Sequence, residues 1–305
     1  MSRMGPFDDS HLPPATSLLE ATPQRHRQNV GLLGINTHAT SVTPRSPLST
    51  PAAVRTVLTY FSTWSCSDRV DLGDTLSIVD YGDVVEPDDE GGSERIAEAV
   101  ARFHHDLKLR IILGGDNAAT WHALRAIAGD ELSSYGLVTL DAHYDLRDGQ
   151  TNCSHVRQLL EAGVEGNRVV QVGLADFSNS EYYARRAHEA GITVITRDQL
   201  RRQPIEEAAA RAMEIAGDGG RRVYVDIDLN AADLAVAPGC HAAAPGGFSA
   251  DEMRRFVRTI TVDPRVSAID ITEIDVDRDS HDQRTVRLAA LLVLEALAGV
   301  RRRQS

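Results

Sequence analysis

The chain reads as an α/β protein in three layers, a parallel sheet with helices on both faces. Two observations point there. Short, continuously apolar runs of strand length alternate with amphipathic stretches of helical length over most of the sequence. That is the pattern of strands buried on both faces and joined by crossover helices. Acidic residues also cluster where several of those runs end, and ligands of a parallel sheet gather beyond the carboxyl ends of its strands.

In chain order, residues 1–28 are rich in proline, serine and charge and lack periodicity. They predict a flexible tail ahead of one domain spanning 29–305. Val30 to Ile35 reads as the first strand, followed by a polar loop from Asn36 to Thr50. Pro51 suits the first turn of a helix running to about Ser62. A short strand is expected at 76–79 and an amphipathic helix at 93–107. Further strands fall near 109–113, 136–140, 168–174, 192–195, 222–227 and 266–272, with helices near 118–129, 154–163, 180–190, 204–217, 249–261 and 283–299. The stretch Arg284–Leu297 is strongly apolar on one side, as a core helix is; a face between copies in a homo-oligomer has the same pattern.

With 305 residues the chain can bury a sizeable core. Its formal net charge of −12 argues against nucleic acid as a partner. No apolar run is long enough to span a bilayer, and no secretory signal precedes the first strand. The expected location is therefore the cytoplasm. Cys66, Cys153 and Cys240 are an odd, sparse set without CxxC spacing, so neither a disulfide framework nor a zinc–cysteine site is implied.

The chemistry concentrates in Asp141-Ala142-His143-Tyr144-Asp145, at the end of an apolar run. On an extended backbone, residues two apart face the same way, so Asp141, His143 and Asp145 would converge. Burying three such groups is costly unless a cation satisfies them. Asp226 and Asp228 repeat the arrangement at the end of another run. Single acids at strand ends often cap the next helix; two sets on two strands favour one shared cation, and a carboxylate–imidazole donor set suits Mn²⁺. Three more segments belong with these: Gly114-Gly115-Asp116-Asn117, the loop Pro238-Gly239-Cys240-His241 through Pro245-Gly246-Gly247, and Asp270-Ile271-Thr272-Glu273-Ile274-Asp275. Asp116 suits a helix cap or a group behind a ligand, and Asn117 offers a neutral oxygen.

In motif and in order these segments resemble the ureohydrolases, the arginase, agmatinase and formimidoylglutamase family. Its patterns are Gly-Gly-Asp-His, Asp-Ala-His-x-Asp, Asp-x-Asp followed by an Ala-Pro-Gly to Pro-Gly-Gly loop, and a late Glu-Val-Asn/Asp. The match covers about residues 29–300. The resemblance implies an eight-stranded, mostly parallel, arginase-like sheet and a binuclear Mn²⁺ site. It implies metal ligation by Asp141, His143, Asp145, Asp226 and Asp228, and a role for Glu273 in gripping the amidine or guanidine group. Asn117 stands where the family's first histidine ligand is usual, so one of the two ions is expected to be held more weakly. A second departure is Asn230-Ala231-Ala232-Asp233, where the family often has Asp-Pro.

Beyond the metal motif the chain reads Leu146-Arg147 and then Asn152-Cys153-Ser154-His155-Val156-Arg157. This is similar to the Asp-Leu-Arg and Ser-Gly-Thr-Pro-Phe-Arg pattern of formimidoylglutamases. Arg147 and Arg157 at the mouth would suit a dicarboxylate substrate by bidentate pairing; pairing of either with Asp148 or Glu161 is the structural alternative. Asn152 and Ser154 are placed among the substrate contacts. Asp145, Glu273 and His155 are the catalytic candidates: Asp145 to relay a proton to the leaving amine, His155 to hydrogen-bond substrate or carry a proton, unless it is a solvated loop histidine. Cys153 and Cys240 read as free thiols flanking the site, with a redox-linked pair as the alternative. The expected reaction is hydrolysis of N-formimidoyl-L-glutamate to L-glutamate and formamide, in histidine breakdown. An agmatinase or guanidino-acid hydrolase is the alternative within the family, and a catalytically silent arginase-fold binding protein the alternative outside catalysis.

Overall fold

In the computed structural model, which describes residues 9, 11–43, 46 and 48–303, the apolar runs join into one sheet. The strands are β1 (Leu19–Glu20), β2 (Gln28–Ile35), β3 (Trp64–Ser65), β4 (Val70–Asp71), β5 (Leu76–Asp83), β6 (Leu109–Gly114), β7 (Tyr135–Leu140), β8 (Val169–Leu174), β9 (Thr193–Thr196), β10 (Arg222–Asp228) and β11 (Val266–Thr272). Strands β3 and β4 form a small antiparallel pair apart from the main sheet. The other nine run in the order β1-β5-β2-β6-β11-β10-β7-β8-β9, and all their pairings are parallel.

The helices are α1 (Thr50–Val57), α2 (Gly92–Ala101), α3 (Ala118–Ala128), α4 (His155–Glu161), α5 (Glu181–Glu189), α6 (Arg197–Leu200), α7 (Ile205–Ala216), α8 (Ala250–Ile260) and α9 (Arg284–Arg301). They cover both faces because successive strand residues point to opposite sides, and both sides are apolar. In β10, Val223, Val225 and Ile227 pack with α1, α7, α8 and α9, while Tyr224 packs with α2, α3, α4 and α5. Full burial of a large side chain such as Phe256 or Leu292 contributes about 2 kcal/mol. The apolar side of α9 is core: Leu288, Leu292, Val293 and Leu297 are buried. Its one buried acid, Glu295, is met by Arg254 and Arg258, as a buried carboxylate must be.

The strand expected eighth in sequence is present, but the sheet has nine strands rather than eight. The extra one, β1, comes from the segment expected to be a flexible tail. Residues 1–8 and 10 of that tail lie outside the described residues, whereas Ala15 and Leu18 are buried in the core and Leu19 pairs with Ile78. Ala15 and Leu18, with Leu19 packed against the same core, anchor it together with the pairing to β5. Helix α2 also stops at Ala101 rather than continuing to 107.

The topology explains where a site can form. From β6 the chain crosses to β7, leaving two positions that β10 and β11 fill later. The carboxyl ends of β6, β11, β10 and β7 are therefore side by side at the centre of the sheet, where the winding direction reverses. Gly115 seals the end of β6: a Cβ there would lie 2.1 Å from the Thr37 carbonyl oxygen. Among the described residues no helix is long and apolar enough to cross a membrane.

Gly115→Ala should therefore destabilise the protein by about 1–3 kcal/mol, measured as a fall in the denaturant midpoint at unchanged slope.

Candidate metal centre and active site

Asp226 and Asp228 end β10 on one face, in line with Asp270 and Thr272 of β11 beside them. Asp141 follows β7 directly. Extended backbone does not bring Asp145 to the same point, as the spacing had suggested. Strand β7 ends at Leu140, and Asp145 has φ 48°, in the left-handed region. A bend returns its carboxylate to the cluster. Glu273, just past β11, also has a left-handed backbone, φ 67°. Such conformations cost about 1–3 kcal/mol each in a residue with a Cβ and persist where the surroundings impose them.

One oxygen each of Asp141, Asp145 and Asp228 lies within 4.8 Å of the others, and all three residues are buried. His143, a fifth exposed, sits at the edge with Nδ1 3.4 Å from Asp141 Oδ1. Asp226 lies behind, entirely buried beside Asp270. Burial first, and then the neighbouring carboxylates, push Asp145, Asp226 and Asp228 well above the usual carboxylate range. Burial likewise raises Asp270, partly offset by hydrogen bonds. Asp141 is the exception: burial alone would raise it, but His143 holds it below its ordinary value.

The residues fit a cation. Asp141 Oδ2, both oxygens of Asp226 and Nε2 of His155 are buried without a hydrogen-bond partner, and buried polar atoms are rarely left so. Oxygen donors with one or two imidazoles are a donor set for a hard divalent ion such as Mn²⁺.

Asn117 differs from expectation. Its carbonyl oxygen accepts from the hydroxyls of Thr120 and Thr272, and its amide donates to Asp228 Oδ2 at 2.9 Å and Asp145 Oδ2 at 3.4 Å. It serves the carboxylates as a donor rather than offering them an oxygen for a shared ion. Asp116 takes the cap role, accepting from the Ala118 N–H of α3.

A cavity of about 590 Å³ opens over the cluster, lined by Asn117, His143, Asp145, Arg147, Asn152, Asp228, His241 and Glu273 among others. Glu273 Oε1 accepts from the Asn117 backbone N–H at 2.9 Å and from Asn152 Nδ2 at 3.0 Å. Asn152 thus orients Glu273 inside the cavity. Arg147 has no carboxylate partner among the described residues, although its backbone N–H bonds the Cys153 carbonyl. Cys153 also reaches the cavity; burial, and then the charge of Asp145, push its thiol up to about 12, which disfavours the thiolate. Cys240 is buried.

Three expected site residues do not face this cavity. Arg157 pairs with Glu161 and donates to the carbonyls of Arg147 and Gly149, so it braces the loop carrying Arg147 instead of meeting a ligand. Ser154 is consumed by a helix cap, exchanging bonds with Thr151 and accepting from Gln158. His155 is neither solvated nor within the cavity: it is fully buried, with Nδ1 3.4 Å from Asp145 Oδ2 and Nε2 3.3 Å from Asp226 Oδ2. Of the two alternatives for the arginines, Asp148 is taken by a third, Arg186.

Sequence reasoning missed Asn230, which donates to Asp228 through both its backbone N–H and its side chain, and His241, which grips Asp275 at 2.8 Å. It also assigned no role to Asp270, which accepts from the Tyr224 hydroxyl at 2.8 Å. An acid inside the apolar run of β11, two residues before Thr272, was the available signal.

A metal-free chain carries these raised carboxylates as a burden that grows with pH. A carboxyl raised on folding favours the folded state at low pH, and that contribution is lost as pH rises through its folded value. The metal-free protein should therefore melt higher at mildly acidic than at mildly alkaline pH, and Asp226→Asn should raise its alkaline stability by about 1–2 kcal/mol. Thermal melts of chelator-stripped protein across pH measure both.

Comparison with known proteins agrees with this geometry. The model of the Arginase family matches residues 28–299. The formimidoylglutamase of Halalkalibacterium halodurans is 30% identical, over 96% of this chain and 94% of that protein. The crystal structure of the Bacillus subtilis formimidoylglutamase superposes with a TM-score of 0.89 at 26% identity, covering 98% of this chain and 95% of the other. A Trypanosoma cruzi formiminoglutamase solved with Mn²⁺ shares the fold, with a TM-score of 0.84 at 20% identity over 96% of this chain and all of that one. The chain belongs to the arginase family.

Proposed function

We propose that the protein is a formimidoylglutamase, hydrolysing N-formimidoyl-L-glutamate to L-glutamate and formamide in histidine breakdown. The observation that carries this reading is the placement of Arg147 in the same cavity as Glu273 and the carboxylate cluster, with no carboxylate of its own among the described residues. The relatives at about 30% identity support it. A cationic substrate tail would be repelled by Arg147; a glutamyl carboxylate pairs with it.

Asp141, His143, Asp145, Asp226 and Asp228 would hold a pair of Mn²⁺ ions, with Asn117 and Asn230 donating to Asp145 and Asp228. When bound, the pair supplies acidification of water near neutral pH and neutralisation of the charge that builds during attack. Glu273, fixed by Asn117 and Asn152, accepts a formimino N–H and turns the amidine carbon toward the cluster. Arg147 holds the glutamyl end. Water adds its oxygen to the amidine carbon, and the bond from that carbon to the glutamyl nitrogen breaks. Asp145, which reaches both cluster and cavity, takes one proton from the water and delivers it to that nitrogen as it leaves, while the second water proton passes to the formimino nitrogen, which becomes the NH2 of formamide. On sequence grounds we also place the enzyme in the cytoplasm.

Mn²⁺-loaded protein should turn over N-formimidoyl-L-glutamate and leave agmatine and 4-guanidinobutyrate largely untouched; preference for either of the latter overturns the substrate. Arg147→Gln should lower kcat/KM about 10–100-fold, chiefly through KM, because a charge-assisted contact is worth about 1.5–3 kcal/mol.

A further inference from the structure

His155 is a buried titratable group that this mechanism leaves unused. It opens α4 on the sheet face that also carries Asp226 and α3, and it is fully buried behind the cavity rather than lining it. Its Nδ1 lies 3.3 Å from the Asn152 carbonyl oxygen. A proton on Nδ1 bonded to that carbonyl leaves Nε2 as a lone pair, the arrangement that orients metal-ligating histidines. Nε2 stands 3.3 Å from Asp226 Oδ2, yet neither that nitrogen nor either oxygen of Asp226 makes a hydrogen bond. The separation would admit one, so the direction is what fails.

Two lone-pair donors side by side in a dry interior repel unless something positive lies beside both. Two ligands of a single first-row ion, each about 2.1 Å from it, stand about 3.0–3.4 Å apart, which is the separation found here. At the place where the family pattern has its first histidine, the amide of Asn117 has its oxygen taken by Thr120 and Thr272. The chain therefore lacks an imidazole on the α3 side of the cluster and has an additional one on the α4 side. It stands in Asn152-Cys153-Ser154-His155-Val156-Arg157, where the Ser-Gly-Thr-Pro-Phe-Arg pattern has proline.

We propose that His155 is a metal ligand, its Nε2 joining Asp226 on one of the two ions and replacing, from the opposite helix, the imidazole absent at position 117. This rests on the metallohydrolase reading above. In it, α4 is part of the metal site and not merely its wall.

The test is metal binding itself, read by titration calorimetry and by metal content after dialysis, on chelator-stripped full-length wild type, His155→Ala, His155→Asn and the double variant Asn117→His/His155→Ala. Wild type should bind two Mn²⁺ per chain. Both single variants should keep one ion and bind the other about 10–100-fold more weakly, with the electron paramagnetic resonance spectrum changing from that of a coupled pair to that of an isolated ion. The double variant, its imidazole returned to α3, should regain the second ion. His155→Asn, close to the native volume, guards against a packing defect in His155→Ala, and circular dichroism checks folding. Single variants that hold both ions as tightly as wild type overturn the assignment of His155 alone. Wild type that takes up no Mn²⁺ overturns the proposed function together with it.

Discussion

Five aspartates, Asp141, Asp145, Asp226, Asp228 and Asp270, are buried within reach of one another at the carboxyl ends of neighbouring parallel strands. Their mutual repulsion in a dry setting is the constraint around which the molecule is arranged. Much of the surrounding architecture supplies donors to them. The amides of Asn117 and Asn230 reach Asp228 and Asp145, the Tyr224 hydroxyl reaches Asp270, and His143 stands against Asp141. These donors are incomplete compensation. Oxygens of Asp141 and Asp226 remain unbonded, and it is this remainder that a divalent cation fits.

The same arrangement separates two tasks in space. The inner carboxylates, Asp141 and Asp226, do not line the cavity, while Asp145 and Asp228 do. Charge is concentrated behind, and the groups that meet a substrate stand in front. Glu273 is held among those front groups by Asn152 and the Asn117 backbone, on a left-handed turn that its anchoring bonds sustain. Arg147 is held at the rim by its backbone bond to Cys153 and by Arg157 beneath it. An arginine read as a substrate contact thus acts one step back, setting the shape of the loop that carries another.

The fold was legible because parallel strands buried on both faces are apolar without interruption and their connecting helices keep a 3.6-residue period. The central four strands announce themselves by the acids that end them. What sequence could not convey was direction and depth. Asp145 joins Asp141 through a bend whose left-handed residue leaves no mark in residue type. Ser154 resembles a polar pocket residue, but its hydroxyl is spent within a single helical turn. His155 looked like a loop histidine because α4 begins at it, and only the packing of that helix onto the sheet shows that its ring is buried against two carboxylates. Anchoring of the segment before β2 was hidden for a similar reason: Ala15 and Leu18 are too few to form a periodic pattern.

Cations complete the carboxylate cluster. The most direct measurement is the thermal midpoint of the folded chain as a function of free Mn²⁺ at fixed, mildly alkaline pH. Binding to the folded state alone stabilises by mass action, so a hundredfold excess over the dissociation constant adds about 2.7 kcal/mol per site. The midpoint should climb steadily with Mn²⁺ in the wild type and far less in Asp226→Asn. A wild-type midpoint indifferent to Mn²⁺ would rule out completion of the cluster by cations.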